Sequence, residues 1–300
     1  MRALVTGWFT FSGMGATAGD LLARDVVCEW LHQADYPFDV ASSETFGGGD
    51  WRSIDPHLYT AVVFVCGPFG NGGVIPEFLA RFDHCRMAGI DLTMLHRLSE
   101  WNPFDILWER DSDLTARPDI AFAATAERLP VVGLVLARRQ KEYTDGVHAS
   151  ADDALRRLTH ARSMVVVPID TCLDPNLTGL RSAAEVESLI ARMDVVLTTR
   201  LHGLVLSLKN EVPVIALDPI RGGAKVARQG EAVGWPIVYR PDEVTDADLE
   251  WAFDYCRTAE ARMLARECRT RAQRAVMNVG DQFKANFKPE RTISREGVRK

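Results

Sequence analysis

Arg200 and His202 stand where an apolar run gives way to a helical one, in Asp194-Val195-Val196-Leu197-Thr198-Thr199-Arg200-Leu201-His202-Gly203-Leu204. Val195–Thr198 reads as a buried strand and a helix is expected to begin near His202, so both side chains fall just beyond a strand's carboxyl end. Open parallel sheets bind their ligands there, and the first turn of a helix adds a partial positive charge that favours an anion. One strand later, Asp218-Pro219-Ile220-Arg221-Gly222-Gly223-Ala224-Lys225 repeats the plan: strand, glycine turn, then a cation at a helix start. A lone histidine is more often structural. Two successive strand ends carrying cations favour function, and Arg200, His202, Arg221 and Lys225, with the Gly222-Gly223 turn, are expected to converge on one doubly charged anion.

A glycine-rich segment near the N-terminus is a second candidate. Val5-Thr6-Gly7 closes a strand, and Gly13-Met14-Gly15-Ala16-Thr17-Ala18-Gly19-Asp20 leads into a helix. Glycines at such a junction let backbone N–H groups approach an anion. The segment is too long for a tight dinucleotide turn, and no tyrosine has a lysine four residues on, which argues against a short-chain dehydrogenase. His-Glu-x-x-His and Gly-x-Ser-x-Gly are both missing, so neither a metal site nor an esterase elbow is expected.

These residues need a scaffold of alternating elements, and the chain supplies one. Strands are expected at Ala3–Val5, Phe38–Ala41, Ala61–Cys66, Asp105–Trp108, Val131–Ala137, Met164–Pro168, Val195–Thr198, Val214–Leu217 and Ile237–Tyr239. Helices are expected at Asp20–Gln33, Val74–Ala88, Ala151–Thr159, Ala183–Met193, Leu204–Lys209 and Lys225–Ala232. Strand, helix, strand repeated this way predicts parallel sheets covered on both faces. Four strands before residue 130 and five after it suit two Rossmann-like lobes. The boundaries follow: residues 1–129, residues 130–256, and a helical, basic C-terminal region 257–300 whose last residues form a loose tail. Ser182 and Glu185 form a capping box before the apolar stripe Val186, Leu189, Ile190 and Met193.

Of the 300 residues, 47% are hydrophobic and 25% charged, an ordinary globular balance that excludes a disordered chain. No apolar run is long enough to span a membrane, and no secretory leader is apparent. Six scattered cysteines without a Cys-x-x-Cys read as reduced thiols of a cytoplasmic protein. The net charge of −6 divides into −13 for residues 1–256 (23 basic, 36 acidic) and +7 for residues 257–300 (12 basic, 5 acidic). An acidic body argues against nucleic acid as a partner. The basic C-terminal helix is expected to pack across both lobes, its charge answering theirs.

Asp194–Leu217 resembles the signature of the polysaccharide pyruvyl transferase family: a strand, Thr199-Arg200-Leu201-His202-Gly203, an apolar helix, a turn at Asn210-Glu211, then Val212-Pro213-Val214-Ile215-Ala216. Gly19-Asp20, Arg110-Asp111-Ser112, Pro118-Asp119-Ile120-Ala121-Phe122, Val131-Val132-Gly133 and Lys225 agree in order, so the likeness covers residues 3–235. The resemblance implies a glycosyltransferase-B-like fold, two Rossmann-like lobes with parallel sheets facing a central cleft. It implies phosphoenolpyruvate as donor substrate with no further cofactor, and a pyruvyl ketal formed on two hydroxyls of a sugar or glycan, with phosphate released.

Carried onto this chain, the resemblance makes Arg200 the holder of the donor's carboxylate or phosphate and His202 the general acid/base. Arg138 or Arg139 would add a phosphate contact. Asp20 or Asp111 would serve as acceptor base, or else cap a helix or turn. The chain is compact for the family and its first lobe is trimmed before Val131, so acceptor identity transfers least. Two other readings remain: a nucleotide-sugar glycosyltransferase using Asp218 or Glu231, and a non-catalytic anion- or glycan-binding protein. A homo-oligomer is left open.

Overall fold

The computed structural model describes residues 1–138, 146–220 and 225–287. The chain divides into two compact units, Met1–Glu127 and Arg128–Lys300. Each is built on a five-stranded sheet in which every strand pairing is parallel. Both sheets have helices packed on them, the α/β architecture that alternating apolar and helical segments demand.

The first unit runs β1 (Ala3–Gly7), α1 (Ala18–Gln33), β2 (Phe38–Val40), β3 (Ala61–Phe69), α2 (Ile75–Arg81), β4 (Arg86–Met94) and β5 (Ile106–Trp108), in sheet order β2-β1-β3-β4-β5. One face carries an aromatic core of Phe11, Trp51, Phe64, Phe69, Phe78 and Phe82, all buried. The other carries a smaller cluster beneath α1, built on Val5, Phe9, Ala23, Val27, Val65 and Cys66.

The strand β4 corrects the sequence expectation. A helix over Val74–Ala88 is not formed; α2 stops at Arg81, Phe82 closes it, and Arg86 begins a strand that pairs with β3 from Ala61 to Met94. Phe78, Phe82 and Cys85 keep a helical spacing, which carries the apolar pattern past the true end. The parallel ladder with β3 satisfies the backbone of residues 86–94 instead. This unit therefore has five strands, not four. His84-Cys85 lies in the turn before β4 and not in a core helix, with the Cys85 thiol donating to the Tyr59 carbonyl at 3.3 Å.

The second unit runs β6 (Val131–Val135), α3 (His148–Ala161), β7 (Val165–Pro168), α4 (Ala183–Ile190), β8 (Val195–Thr198), α5 (Leu201–Lys209), β9 (Val214–Leu217), α6 (Lys225–Val233), β10 (Val238–Tyr239), α7 (Asp246–Cys256) and α8 (Ala259–Asn286). The sheet order is β10-β9-β8-β6-β7. Every residue of β8 and β9 is buried, as expected of central parallel strands covered on both faces. Ser182 caps α4 by accepting from the Glu185 amide, while the Glu185 carboxylate accepts from Arg181 N rather than closing a reciprocal box.

The basic C-terminal region carries one long helix, α8, separated from the acidic α7 at Arg257–Thr258, where Thr258 caps α8. Described contacts of α8 run to α5, α6 and α7. Its arginines answer acidic groups of this unit: Arg262 pairs with Asp194 at 3.3 Å, and Arg266 and Arg269 clamp Glu211 at 3.0 and 2.7 Å. Residues 288–300, the expected loose tail, lie outside the described residues. All six cysteines are free thiols. Among the described residues, no helix is long and apolar enough to cross a membrane.

Candidate functional site

In the second unit the chain steps from β6 to β7 on one side, then returns to β8 on the other side of β6. Such a reversal opens a crevice at the carboxyl ends of the two central strands. Here it holds a pocket of about 140 Å³ lined by Ala137 and Arg138 after β6, Thr199 and Arg200 after β8, and Asp218–Ile220 after β9. The starts of three helices complete the lining: His148 of α3, Leu201 and His202 of α5, and Lys225 and Val226 of α6.

The paired threonines that end β8 hold the crevice in shape. The Thr198 hydroxyl donates to the Val135 carbonyl at 2.8 Å and accepts from the Arg200 amide at 2.9 Å. The Thr199 hydroxyl accepts from the Ala137 amide at 2.8 Å and donates to Asp152 at 3.3 Å. Burial raises the Asp152 carboxyl, and the Thr199 bond opposes that rise. Gly203 is required by the same arrangement: a Cβ there would stand 2.1 Å from the Thr198 hydroxyl oxygen and 2.8 Å from its Cβ.

Arg200 is the residue before α5 and does not cap it with its side chain. Instead Arg200 Nη1 donates to Asp170 Oδ1 at 3.1 Å, and Arg138 Nη2 donates to Asp170 Oδ2 at 2.5 Å and to the Pro175 carbonyl at 2.9 Å. Burial works against charge on Asp170, but the amides of Cys172 and Leu177 and the Arg138 guanidinium hold its carboxyl below the usual carboxylate range. One buried carboxylate thus aligns two guanidinium forks, and each fork keeps further N–H groups for a ligand. The His202 ring is exposed and meets no hydrogen-bond partner among the described residues.

The structure brings Arg138, Arg200, His202 and Lys225 to one pocket. Arg139, Arg221, Gly222 and Gly223 lie outside the described residues. Asp218 is wholly buried, and its oxygens accept from the amides of Ile220 at 3.1 Å and Ala227 at 2.9 Å, which fastens the β9–α6 connection. Glu231 is exposed on α6. Sequence reasoning missed two residues. Asp170 follows β7 and is tied to its own loop; His148 opens α3, and its Nδ1 is buried without a partner. A polar residue just past a predicted strand was the available signal for Asp170.

Asp20 belongs to the first unit. Its Oδ2 accepts from the Thr17 amide and hydroxyl, both at 2.7 Å, and the Asp20 amide in turn donates to the Thr17 hydroxyl oxygen at 3.4 Å. This is a helix-capping box on α1. Asp20 also lines a pocket at the reversal of its own sheet, with Trp8, Gly15, Cys66, Gly67, Arg110 and Asp119. Asp111 bonds to the Thr93 hydroxyl and to Arg110. Among the described residues, Cys66, Asp91 and Asp119 bring ligand atoms within 4.8 Å of one another. Arg110 Nη1 already stands 2.9 Å from Asp119 Oδ2 and 4.0 Å from Cys66 Sγ, so a cation occupies the charge of that group.

The family model for polysaccharide pyruvyl transferase matches residues 114–219, a span that contains β6 through β9 together with Asp170, Arg200 and His202. No curated protein matches the chain. Similar solved structures include a protein from Listeria monocytogenes described as a UDP-N-acetylglucosamine 2-epimerase (11% identity, 95% of this chain and 97% of that one, TM-score 0.31). Others are the glycotransferase of kitacinnamycin (11%, 96% and 98%, 0.35) and MurG of Acinetobacter baumannii (12%, 94% and 100%, 0.29).

Proposed function

We propose that this chain is a transferase that moves a pyruvyl group from phosphoenolpyruvate to two hydroxyls of a sugar or glycan, forming a ketal and releasing phosphate. The observation that carries the reading is the cationic pocket at the carboxyl ends of β6, β8 and β9, most of whose lining, Arg138, His148, Arg200 and His202 included, falls in the span matched by the pyruvyl transferase family model, with Ile220, Lys225 and Val226 just beyond it. Arg200 and Arg138, aligned by Asp170, suit the donor's carboxylate and phosphate, since a guanidinium fork binds either in the plane of two oxygens. Lys225 adds a point charge at the start of α6.

The chemistry needs one proton delivered to carbon. The two acceptor oxygens bond to C2 of the enol phosphate, C3 gains a proton to become a methyl group, and the C2–O bond to phosphate breaks. Of the two hydroxyl protons released, one balances the new methyl group and the other leaves with phosphate. An imidazole titrates near neutrality and serves both as donor to C3 and as acceptor from a hydroxyl. His202 takes that role because its ring reaches the pocket and, among the described residues, no other group holds it. His148 lines the same pocket and offers its unpartnered nitrogen to a phosphate or carboxylate oxygen.

Thermal-shift and calorimetric titration with phosphoenolpyruvate, UDP, GDP and NAD tests the donor. A ligand bound by the native state raises its melting temperature. Saturable phosphoenolpyruvate binding lost in Arg200→Ala supports the assignment; preference for a nucleotide overturns it. Phosphate release dependent on a diol-bearing glycan, with a new ketal methyl signal by NMR, then tests the transfer.

A further inference from the structure

The first unit carries a groove of its own, larger than the cationic pocket of the second unit. Helix α1 lies over β1 and β3, and β4 connects to β5 through residues 95–105 without a helix. The α1-side face of β4 and β5 is consequently left as the floor of a groove of about 700 Å³. That size falls among small-molecule sites, roughly 300–1,000 Å³. Its floor sets the small side chains Ala3, Ala61 and Ala88 beside Val63, Ile90 and Ile106, and its flanks are Trp30 and Leu31 of α1 and Trp108 of β5. Trp30 and Trp108 remain 43% and 52% exposed. Two indoles left in water on either side of an apolar floor form a surface that gains free energy when apolar matter covers it.

The groove has one polar end, and the backbone is bent to make it. Strands β3 and β4 pair in register from Ala61↔Arg86 to Val65↔Ile90 and again from Gly67↔Leu92; the skipped pair is Cys66 and Asp91. Both residues adopt φ of 60°, a left-handed conformation that costs a non-glycine residue about 1–3 kcal/mol. Simple alternation would turn Asp91 away from Ile90, but the kink sets both on the groove side while Leu92 joins the aromatic core. Asp91 is 2% exposed; its Oδ1 accepts from the Ile120 amide at 3.2 Å, and its Oδ2 makes no hydrogen bond of normal geometry, the Cys66 thiol lying close enough only to ease its charge. Neighbouring charges are paired among themselves: Glu109 with Arg117, and Arg110 with Asp111 and Asp119.

We propose that this groove binds an amphiphile, its hydrocarbon chain along the apolar floor and a hydroxyl or amine at its head donating to Asp91 Oδ2. The run from Arg86 to Asp91 gives the chain roughly 16 Å of floor. Arg110 lines both this groove and the pocket of Trp8, Gly15 and Asp20 at the sheet reversal, so the head lies beside that second space. The inference is independent of the donor assignment in the other unit.

Calorimetric titration of the full chain with dodecanol below its solubility limit, and with dodecylamine and dodecanoate below their micelle-forming concentrations, tests it. The alcohol and the amine bind saturably with a negative heat-capacity change, and dodecanoate, repelled by Asp91, binds at least about tenfold more weakly. Ala88→Phe fills the floor and abolishes binding of all three; Ala61→Leu serves if that variant fails to fold. Asp91→Ala erases the preference for the donor heads. Three results would overturn the proposal: no saturable binding, binding untouched by either floor variant, or a preference for dodecanoate. A fourth is a dimer in sedimentation that Ala88→Phe dissociates, without alkyl binding, which would assign the groove to a second copy of the chain.

Discussion

Replacing Asp170 by asparagine removes the charge that aligns two arginines while keeping the shape of the side chain. The carboxylate takes two bonds on each oxygen: Oδ1 from Cys172 N at 2.9 Å and Arg200 Nη1 at 3.1 Å, Oδ2 from Leu177 N at 3.1 Å and Arg138 Nη2 at 2.5 Å. Asparagine offers a carbonyl to one pair only, and its NH2 then faces two donors. One bond to a charged group, about 1.5–3 kcal/mol, and one backbone bond, about 1 kcal/mol, are lost. The Arg138 and Arg200 side chains are 39% and 20% exposed, so water recovers part of this. The net loss is about 2–3 kcal/mol. For a unit of this size it lowers the melting temperature by roughly 4–12 °C.

The pH dependence has a definite sign. The folded carboxyl of Asp170 lies below its ordinary value. Its stabilisation is therefore complete above about pH 4, the unfolded pKa, and fades as pH falls through the folded one. Calorimetric melts should show a constant gap between the two proteins from about pH 5 to 8 that closes in acid. Phosphoenolpyruvate affinity should fall about tenfold, because neither fork is held in place. Equal melting temperatures at neutral pH, or a stability loss with donor affinity intact, would refute the positioning argument.

His202→Ala should abolish turnover while leaving donor affinity and melting temperature near wild type, whereas Arg200→Lys should weaken donor binding, since an ammonium cannot reproduce the fork; rapid-mixing kinetics and calorimetry separate the two. Gly203→Ala should cost about 1–3 kcal/mol by driving a methyl group into Thr198, read as a shift in denaturant midpoint at unchanged m-value. Asp91 behaves oppositely to Asp170: burial raises its folded carboxyl to about 6. Stability is then lost as pH rises from about 4 through 6, and Asp91→Asn should remove that slope and gain about 2–3 kcal/mol at pH 7. Parallel melts at pH 4.5 and 7 check it.

The second sheet was legible because β8 and β9 are buried on both faces and read as unbroken apolar runs. Strand β4 was not. Phe78, Phe82 and Cys85 hold a helical spacing, and only the long-range ladder to β3 decides that residues 86–94 extend. The site divides in the same way. Arg200 and His202 are neighbours in sequence at a strand-to-helix junction, so their placement follows from local pattern. Asp170 reaches Arg200 across 30 residues, and His148 reaches the same pocket from the start of another helix. Their approach depends on the order β8-β6-β7, which no local pattern states. Asp20 shows the converse. Its Thr-x-x-Asp spacing is a local signal, and the capping box it forms is what that spacing dictates.

Both units reverse strand order beside their first strand, so each offers a crevice at the same topological point. The side chains there differ in charge. The crevice of the second unit presents Arg138, Arg200 and Lys225 with two imidazoles, and its buried carboxylates, Asp170 and Asp218, bond to guanidinium or backbone N–H groups. Such a set selects a small anion with several oxygens. That of the first unit presents Asp20, Asp119 and Cys66 beside the Trp8 indole, with Arg110 bound to Asp119. An indole face and carboxylates suit a ring that donates hydroxyl hydrogens. The two crevices thus differ in the ligand each suits, an oxygen-rich anion in the second unit and a hydroxyl-bearing ring in the first. Exchanging the charge of one crevice, by Arg200→Glu or Asp119→Lys, should therefore weaken one substrate and spare the other; equal loss of both in either variant would mean that the crevices do not bind separate partners.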